Sequence, residues 1–356
     1  MPEVRVEEVR RFMEESLKAV GAPEEAAKAQ TDLLLHADTV GHFSHGLNRL
    51  AFYINDIKHE ATNPKAVPKI IKETEATAWV DGGDALGATV ANFCMKIAIK
   101  KAKDSGAAVV CAKNCNHFGM AGYWALQAAK VGCVGMAFTN SSPNLVPTRA
   151  KEPVLGTNPI ALFAPGLEDE YIGIDMATTA VAFGKVEVQM FKEEPLKEGW
   201  ALDVNGQPTT DPKEAMKSGR LMPLGGEETN GGYKGYALSA LVEVLCSGLA
   251  GSKPSHDVRL WSPDGTAGPP NLGQCFIVIN PFYFAPGFES RVSGCMKHWN
   301  NLEPVDPSLP VLAPGDKERK QAEETTKKGT INYAPNVIEH YLKLAKEIGV
   351  EPMKVE

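Results

Sequence analysis

Apolar residues recur at helical spacing from the start of the chain. Val6, Val9, Phe12, Met13, Leu17 and Val20 predict a helix over 4–20, which Gly21 ends. Pro23 opens a second helix over 24–38, with Ala26, Ala29, Leu33 and Ala37 on one side. Leu50, Ile54 and Ile57 form the stripe of a third, 47–58, for which Ser44 is the expected N-cap and in which Arg49 lies one turn inside. A polar, proline-containing connector at 60–68 follows. The pattern then changes to short β-type runs at 76–80, 107–112, 134–139, 172–175 and 276–280. Helices are expected between and after them, at 88–103, 119–131, 237–249, 288–301, 316–328 and 336–348. Asn205-Gly206 marks a hairpin-like turn within 203–208. The stretch 251–270 is a Ser/Pro/Gly-rich loop, and 303–315 carries four prolines and must be extended.

This alternation predicts an α/β fold, and 356 residues exceed what one compact core usually holds. The expected division is a helical N-terminal domain at 1–72, an α/β domain at 73–302, and a C-terminal segment at 303–356 packing back on the helical domain. The charge balance of -7 argues against nucleic acid or an anionic membrane as partner. No apolar run approaches the ~20 residues that span a bilayer. The charged N-terminus lacks the apolar stretch of a signal peptide, and seven cysteines without a C-x-x-C pair fit reduced thiols. A cytoplasmic location is expected. Asn140-Ser141-Ser142 matches a glycosylation acceptor by chance in that setting.

Neither G-x-G-x-x-G, the P-loop motif nor H-E-x-x-H occurs. His36, Asp38, His42 and His45 can be drawn as a metal site, without a recognisable ligand spacing, and no metal is expected. Cys115 and His117 stand too close in one loop for the histidine to act as an oriented base. Two features look chemical. In Ser44-His45-Gly46 with Arg49, the arginine would grip a carboxylate bidentately while the histidine exchanges a hydroxyl proton. The plain alternative is a helix cap with a surface arginine. His117 sits in the loop Asn116-His117-Phe118-Gly119 at a strand end, where open α/β folds bind ligands, although a lone loop histidine is more often simply solvated. Asn140–Pro143 and Gly156–Pro159 are small turn residues that let a ligand approach the backbone. Met176-Ala177-Thr178-Thr179-Ala180 offers N–H groups to phosphate, or merely caps the next helix. Lys234 stands at a helix N-terminus, where an anion is favoured.

Taken in order, Ser44-His45-Gly46 with Arg49, Asn116-His117-Phe118-Gly119, Asn140-Ser141-Ser142-Pro143, Gly156-Thr157-Asn158-Pro159, Ile174-Asp175-Met176-Ala177-Thr178, Tyr233-Lys234-Gly235-Tyr236 and Asn271-Leu272-Gly273-Gln274 resemble the type-2 malate/L-lactate dehydrogenase family. That family also holds ureidoglycolate, sulfolactate and diketogulonate oxidoreductases. The resemblance implies a non-Rossmann nicotinamide-binding α/β domain with a mixed sheet and a homodimer with its active site near the interface. It implies NAD as cofactor, with NADP possible, and hydride transfer to or from a small 2-hydroxy/2-oxo acid. Either His45 or His117 would be the acid/base, with Ser44 beside it, and Arg49 the substrate-carboxylate ligand. Cofactor contacts would come from His117, Ser141, Asp175, Met176, Ala177, Thr178, Lys234, Gly235, Pro314, Gly315 and Asp316. Lys185 stands where reductases of cyclic imino acids carry an aspartate. Pro270 stands where the ureidoglycolate branch carries an arginine. L-malate/oxaloacetate is therefore the expected substrate, with L-lactate, ureidoglycolate or a cyclic imino acid as alternatives within the family. A metal-dependent hydrolase built on His36, His42 and His45, or an inactive binding protein, are the readings from outside it.

Overall fold

The computed structural model describes residues 2–261 and 268–356, with the backbone alone at Phe191. A seven-stranded sheet runs through its middle. The spatial order is Lys69–Glu73, Thr77–Asp81, Ala107–Cys115, Leu272–Ile279, Val134–Thr139, Ile160–Pro165, Tyr171–Met176. Only the pair Thr77–Asp81 and Ala107–Cys115 is parallel. Every other neighbouring pair is antiparallel, so the sheet is mixed. The late strand Leu272–Ile279 is inserted between two much earlier ones, and all three are rich in small and β-branched residues buried on both faces.

One face of the sheet carries the helices Gly87–Ser105 and Ala121–Ala129, with Val110, Phe276 and Trp124 in the largest core. The opposite face packs Cys111, Phe138 and Cys275 against Val242 and Cys246. There the helix Gly232–Glu243 widens into a π-helical segment, Val244–Leu249. A second core joins the helices Val6–Ala19, Glu24–Thr39 and Leu50–Lys58 to the C-terminal Ile331, Tyr333, Ile338, Tyr341 and Leu344. The strand Glu3–Arg5 pairs with Thr330–Asn332 and ties the two ends of the chain together. A small three-stranded sheet at 201–221 forms a satellite core with the helices Phe183–Lys192 and Pro212–Ser218.

Several expectations are corrected. Ser44 does not cap a helix: residues 43–45 and 47–49 make two 3₁₀ turns, and Arg49 itself occupies the N-cap position of Leu50–Lys58. Thr178 and Thr179 do not cap the next helix either, which starts at Phe183 after Ala182. The helix expected at 119–131 begins at Ala121, because Gly119 adopts a φ of 71° with Leu33 lying against it, a position only glycine fills without strain. The strand Lys69–Glu73 escapes the periodic pattern because it is an edge strand with every side chain exposed. The expected loop 251–270 holds one 3₁₀ turn, Ser255–Asp257, and its 262–267 portion lies outside the described residues. No helix among the described residues is long and apolar enough to cross a membrane.

Candidate active site

The N-terminal helices bring the two candidate histidines together. His45 leaves the end of the first 3₁₀ turn, and His117 leaves the loop after the strand Ala107–Cys115. Their rings lie 6.3 Å apart, nearly parallel at 23°. Ser44 Oγ is 2.9 Å from His45 Nδ1. Arg49 folds back over the same turn, its Nε donating to the Ser44 carbonyl at 2.7 Å, and its outer nitrogen stands 3.6 Å from the Glu187 carboxylate. A methyl group at Gly184 would lie 3.2 Å from that guanidinium, so the start of the helix Phe183–Lys192 closes this side.

The protonation of His117 follows from its partners. Nδ1 accepts the Gly119 N–H at 3.1 Å, so the neutral ring carries its proton on Nε2 and the Tyr53 hydroxyl, 2.7 Å away, also donates to Nδ1. Burial, with the nearby charges of His45 and Arg49, holds the His117 pKa well below its ordinary value. Burial lowers His45 to about 3, helped by Arg49 and His42. Both rings are therefore neutral at neutral pH.

Sequence reasoning missed the residues that hold His117. The Asn116 side chain accepts the His117 N–H at 2.6 Å and donates to Asp56 at 2.9 Å. Asp56, fully buried, also receives Arg259 at 2.8 Å and the Trp261 indole N–H at 3.0 Å. The Trp261 ring stacks on His117 at 4.3 Å and meets Tyr53 edge-on at 5.3 Å. One signal was available for Tyr53, which lies four residues after Arg49 and so on the same helix face. None was available for Trp261, some 140 residues from His117 in a loop.

The expected cofactor positions fall into two groups. Ser141 Oγ accepts the Thr157 N–H at 3.1 Å, and Thr178 Oγ1 donates to the carbonyls of Thr157 and Asn158. Leu224 N–H donates to Thr178 O, and a methyl at Gly235 would strike the Leu224 backbone, which joins the helix Gly232–Glu243 to the group. Met176 ends its strand, Ala177 follows, and Lys234 is exposed with its ammonium 5.8 Å from the Tyr233 ring. In the second group, Asp175 accepts the Gly122 N–H at 2.9 Å, while its other oxygen has no hydrogen bond among the described residues. Burial raises its pKa to about 7 against the pull of that N–H, with Glu318 adding to the rise. Gly315 packs on Gly173, whose N–H donates to Pro314 O. The Asp316 side chain is engaged inward, with Asn300, Arg319 and the Ala313 N–H.

The histidines drawn as a metal set do not converge. His36 packs on Tyr123, His42 faces Glu318 at 3.3 Å, and His45 faces Ser44. No three His, Cys, Asp or Glu side chains among the described residues are placed to share an ion. Cys115 is buried, its thiol directed to the Lys113 carbonyl and pushed up by burial, so it is not an activated nucleophile.

The sequence model of the malate/L-lactate dehydrogenases matches residues 4–341. The chain belongs to that family. It is 38% identical over 343 residues to the malate dehydrogenase of Pyrococcus horikoshii, spanning 96% of this chain and 94% of that one. It is 36% identical over 352 residues to the L-sulfolactate dehydrogenase of Methanocaldococcus jannaschii, spanning 98% and 97%. A solved malate dehydrogenase structure from Pyrococcus horikoshii superposes with a TM-score of 0.89, covering 99% of this chain and 97% of that one at 36% identity. The protein is thus an oxidoreductase, a 2-hydroxy acid dehydrogenase. The mixed sheet and the His45–His117–Arg49 cluster belong to this dehydrogenase.

Proposed function

We propose that this dehydrogenase interconverts L-malate and oxaloacetate with NAD or NADP, using Arg49 to hold the C1 carboxylate and His45 to move the hydroxyl proton. The observation that carries the reading is the meeting of Arg49, His45 and His117 at one place, from segments far apart in sequence. The residues also suit a dinucleotide. The unengaged Asp175 oxygen would accept from a hydroxyl of the cofactor, the Ser141 and Thr157 hydroxyls lie 3.2 Å apart beside a glycine, and Lys234 would supply a cation. Since G-x-G-x-x-G is absent and one strand pair alone is parallel, such binding is of a non-Rossmann kind.

The bound nicotinamide supplies a hydride acceptor for the substrate's C2. His45, with Nδ1–H donating to Ser44 Oγ, presents an unprotonated Nε2 that takes the hydroxyl proton as the hydride leaves. The imidazolium so formed keeps its Nδ1–H on Ser44 Oγ and returns the Nε2 proton in the reverse direction, leaving a neutral ring. His117 acts differently. Its Nε2–H donates a hydrogen bond to the substrate oxygen without giving up the proton, because losing it would leave an imidazolate. Trp261 excludes water from one face of that ring.

Lys185 favours malate over lactate. It is exposed and adjoins Gly184, which abuts the Arg49 guanidinium, so it is the cation within the chain nearest to hand for the second carboxylate of a dicarboxylate. The homodimer is supported by exposed apolar side chains along one helix, Tyr233, Tyr236, Leu241 and Val244. Seven free cysteines support the cytoplasm. The shared N- and C-terminal core supports a helical unit of 1–72 with 303–356, beside a cofactor unit of 73–302. The test follows reduced nicotinamide absorbance, with NADH and NADPH each mixed with oxaloacetate, pyruvate or a cyclic imino acid. Loss with oxaloacetate is expected. Loss only with another acid overturns the substrate, and none with any pair overturns the reading.

A further inference from the structure

The active-site turn is held from below by the last segment of the chain. Asp38, 2% exposed, lies directly under Gly46, and a methyl there would fall 1.8 Å from the Asp38 carboxylate. One carboxylate oxygen accepts the Leu47 N–H at 2.9 Å and the Tyr333 hydroxyl at 2.7 Å. The other is buried with no partner among the described residues. A fully buried, half-satisfied carboxylate costs stability. Its retention under the His45 turn is understandable if the bonds it does make fix that turn. Tyr333 also meets Phe43 edge-on at 6.1 Å. Tyr341, from the final helix Pro335–Ile348, donates its hydroxyl to Leu47 O and accepts the Ala51 N–H at 3.4 Å. The Tyr341 hydroxyl thus ends on the stretch that carries Ser44, His45 and Arg49, the Tyr333 hydroxyl reaches it through the Asp38 carboxylate that holds the Leu47 N–H, and neither contacts those three side chains.

We infer that Tyr333, Tyr341 and Asp38 form a clamp by which the C-terminal segment sets the position of the His45–Arg49 turn, and that they are positioning residues of the active site. Without the clamp the turn keeps its chain path and loses its fixed orientation. Arg49 and His45 then no longer meet a 2-oxo acid together, whereas cofactor contacts elsewhere are untouched. The inference rests on the assignment of those two residues to substrate, but its first readout does not.

The test uses the whole chain with Tyr333→Phe, Tyr341→Phe and the double variant, which delete hydroxyls and keep rings. Amide exchange at Gly46 and Leu47 is measured first. It is expected to speed up by about tenfold in each single variant, the effect of one hydrogen bond, at unchanged exchange in the strand Val134–Thr139. The KM for the active 2-oxo acid is expected to rise by a similar factor, with the KM for the nicotinamide within twofold. Asp38→Asn, which keeps an acceptor, should restore most of what Asp38→Ala loses. Unchanged exchange at the turn overturns the clamp whatever the activity. Faster exchange with unchanged KM overturns its role in positioning. If the wild type reduces none of the acids, it is the substrate assignment that fails, and exchange alone decides the clamp.

Discussion

The Tyr53 hydroxyl lies 2.7 Å from Nδ1 of His117, on the same ring nitrogen that accepts the Gly119 N–H. This arrangement separates two histidines that look alike in sequence. His117 has one nitrogen occupied by two donors, so its chemistry is confined to Nε2–H. His45 faces a hydroxyl that accepts from Nδ1–H, which leaves Nε2 free to take a proton and return it.

Replacing the two histidines separately should therefore give different kinetics. His45→Gln is expected to lower kcat by about 10²–10⁴, the range for general acid–base catalysis. His117→Gln, which keeps a donor, should cost less, and Tyr53→Phe less again. Steady-state kcat in both directions checks the order. Equal losses for all three would remove the distinction.

For malate oxidation, kcat/KM should stay flat on the acid side to well below pH 6.5, because the free enzyme's His45 pKa is about 3. Arg49 contributes to that depression, after burial. The Arg49→Lys variant keeps the charge and hence the profile, while Arg49→Gln should move the acid limb upward. A pH series on the three proteins measures this directly.

Arg49→Ala should reduce kcat/KM for the 2-oxo acid by about 2–5 kcal/mol, the scale of truncating one partner of a charge pair. Lys185→Ala should raise the KM for oxaloacetate by several fold and leave pyruvate unaffected. Equal effects on both acids would show that Lys185 does not face the second carboxylate.

Asp38 gives a stability prediction with a definite sign. Its pKa rises from 3.8 to about 7 in the fold, mainly through burial, against the hydrogen bonds from Tyr333 and Leu47. The folded protein thus holds a proton that the unfolded chain releases. Its stabilising effect is complete below pH 3.8 and is lost as pH rises toward 7, by about 1.4 kcal/mol per unit. His36 and His45, lowered to about 4 and about 3, act in the opposite sense over much of the same window, so the total curve hides the effect. The difference between wild type and Asp38→Asn exposes it. Denaturant unfolding should show the wild type losing ground to the variant from pH 4 to 7 and not beyond.

Asp56→Ala should destabilise the protein by about 3–5 kcal/mol, because it breaks a buried ion pair by removing the carboxylate that meets the Arg259 guanidinium at 2.8 Å. It also frees the Asn116 amide and the Trp261 indole. A fall in denaturation midpoint together with a shift in tryptophan emission would report both losses.

Much of the local structure is written in the order of residues. The run DKERKQAEETTKK is charged or polar at every position but Ala322, and Gly315 and Gly329 bound it, so the helix Asp316–Lys328 is legible residue by residue. The strand Val134–Thr139 is bounded by Gly132 and Asn140 and is equally plain. The order and composition of the loop motifs were enough for the family, and with it the reaction class. Those features depend on neighbours a few positions apart, and periodicity records such neighbours.

What the sequence could not decide is whatever depends on distant segments meeting. No local pattern says that Leu272–Ile279 enters the sheet between Ala107–Cys115 and Val134–Thr139, since any of several apolar strands would satisfy the same hydrogen-bonding edges. Nothing near His117 announces Trp261, and nothing near Ser44 announces Tyr333 or Tyr341. The helix cap expected at Ser44 was a sound local inference, overridden because packing on Asp38 bends the turn and turns the hydroxyl toward His45. Residue types at short spacing thus determined which chemistry the chain carries. The tertiary structure alone decided how the two histidines differ, because Tyr53 and Trp261 are brought to His117 from elsewhere in the fold, into a buried site where an unmet polar group is costly.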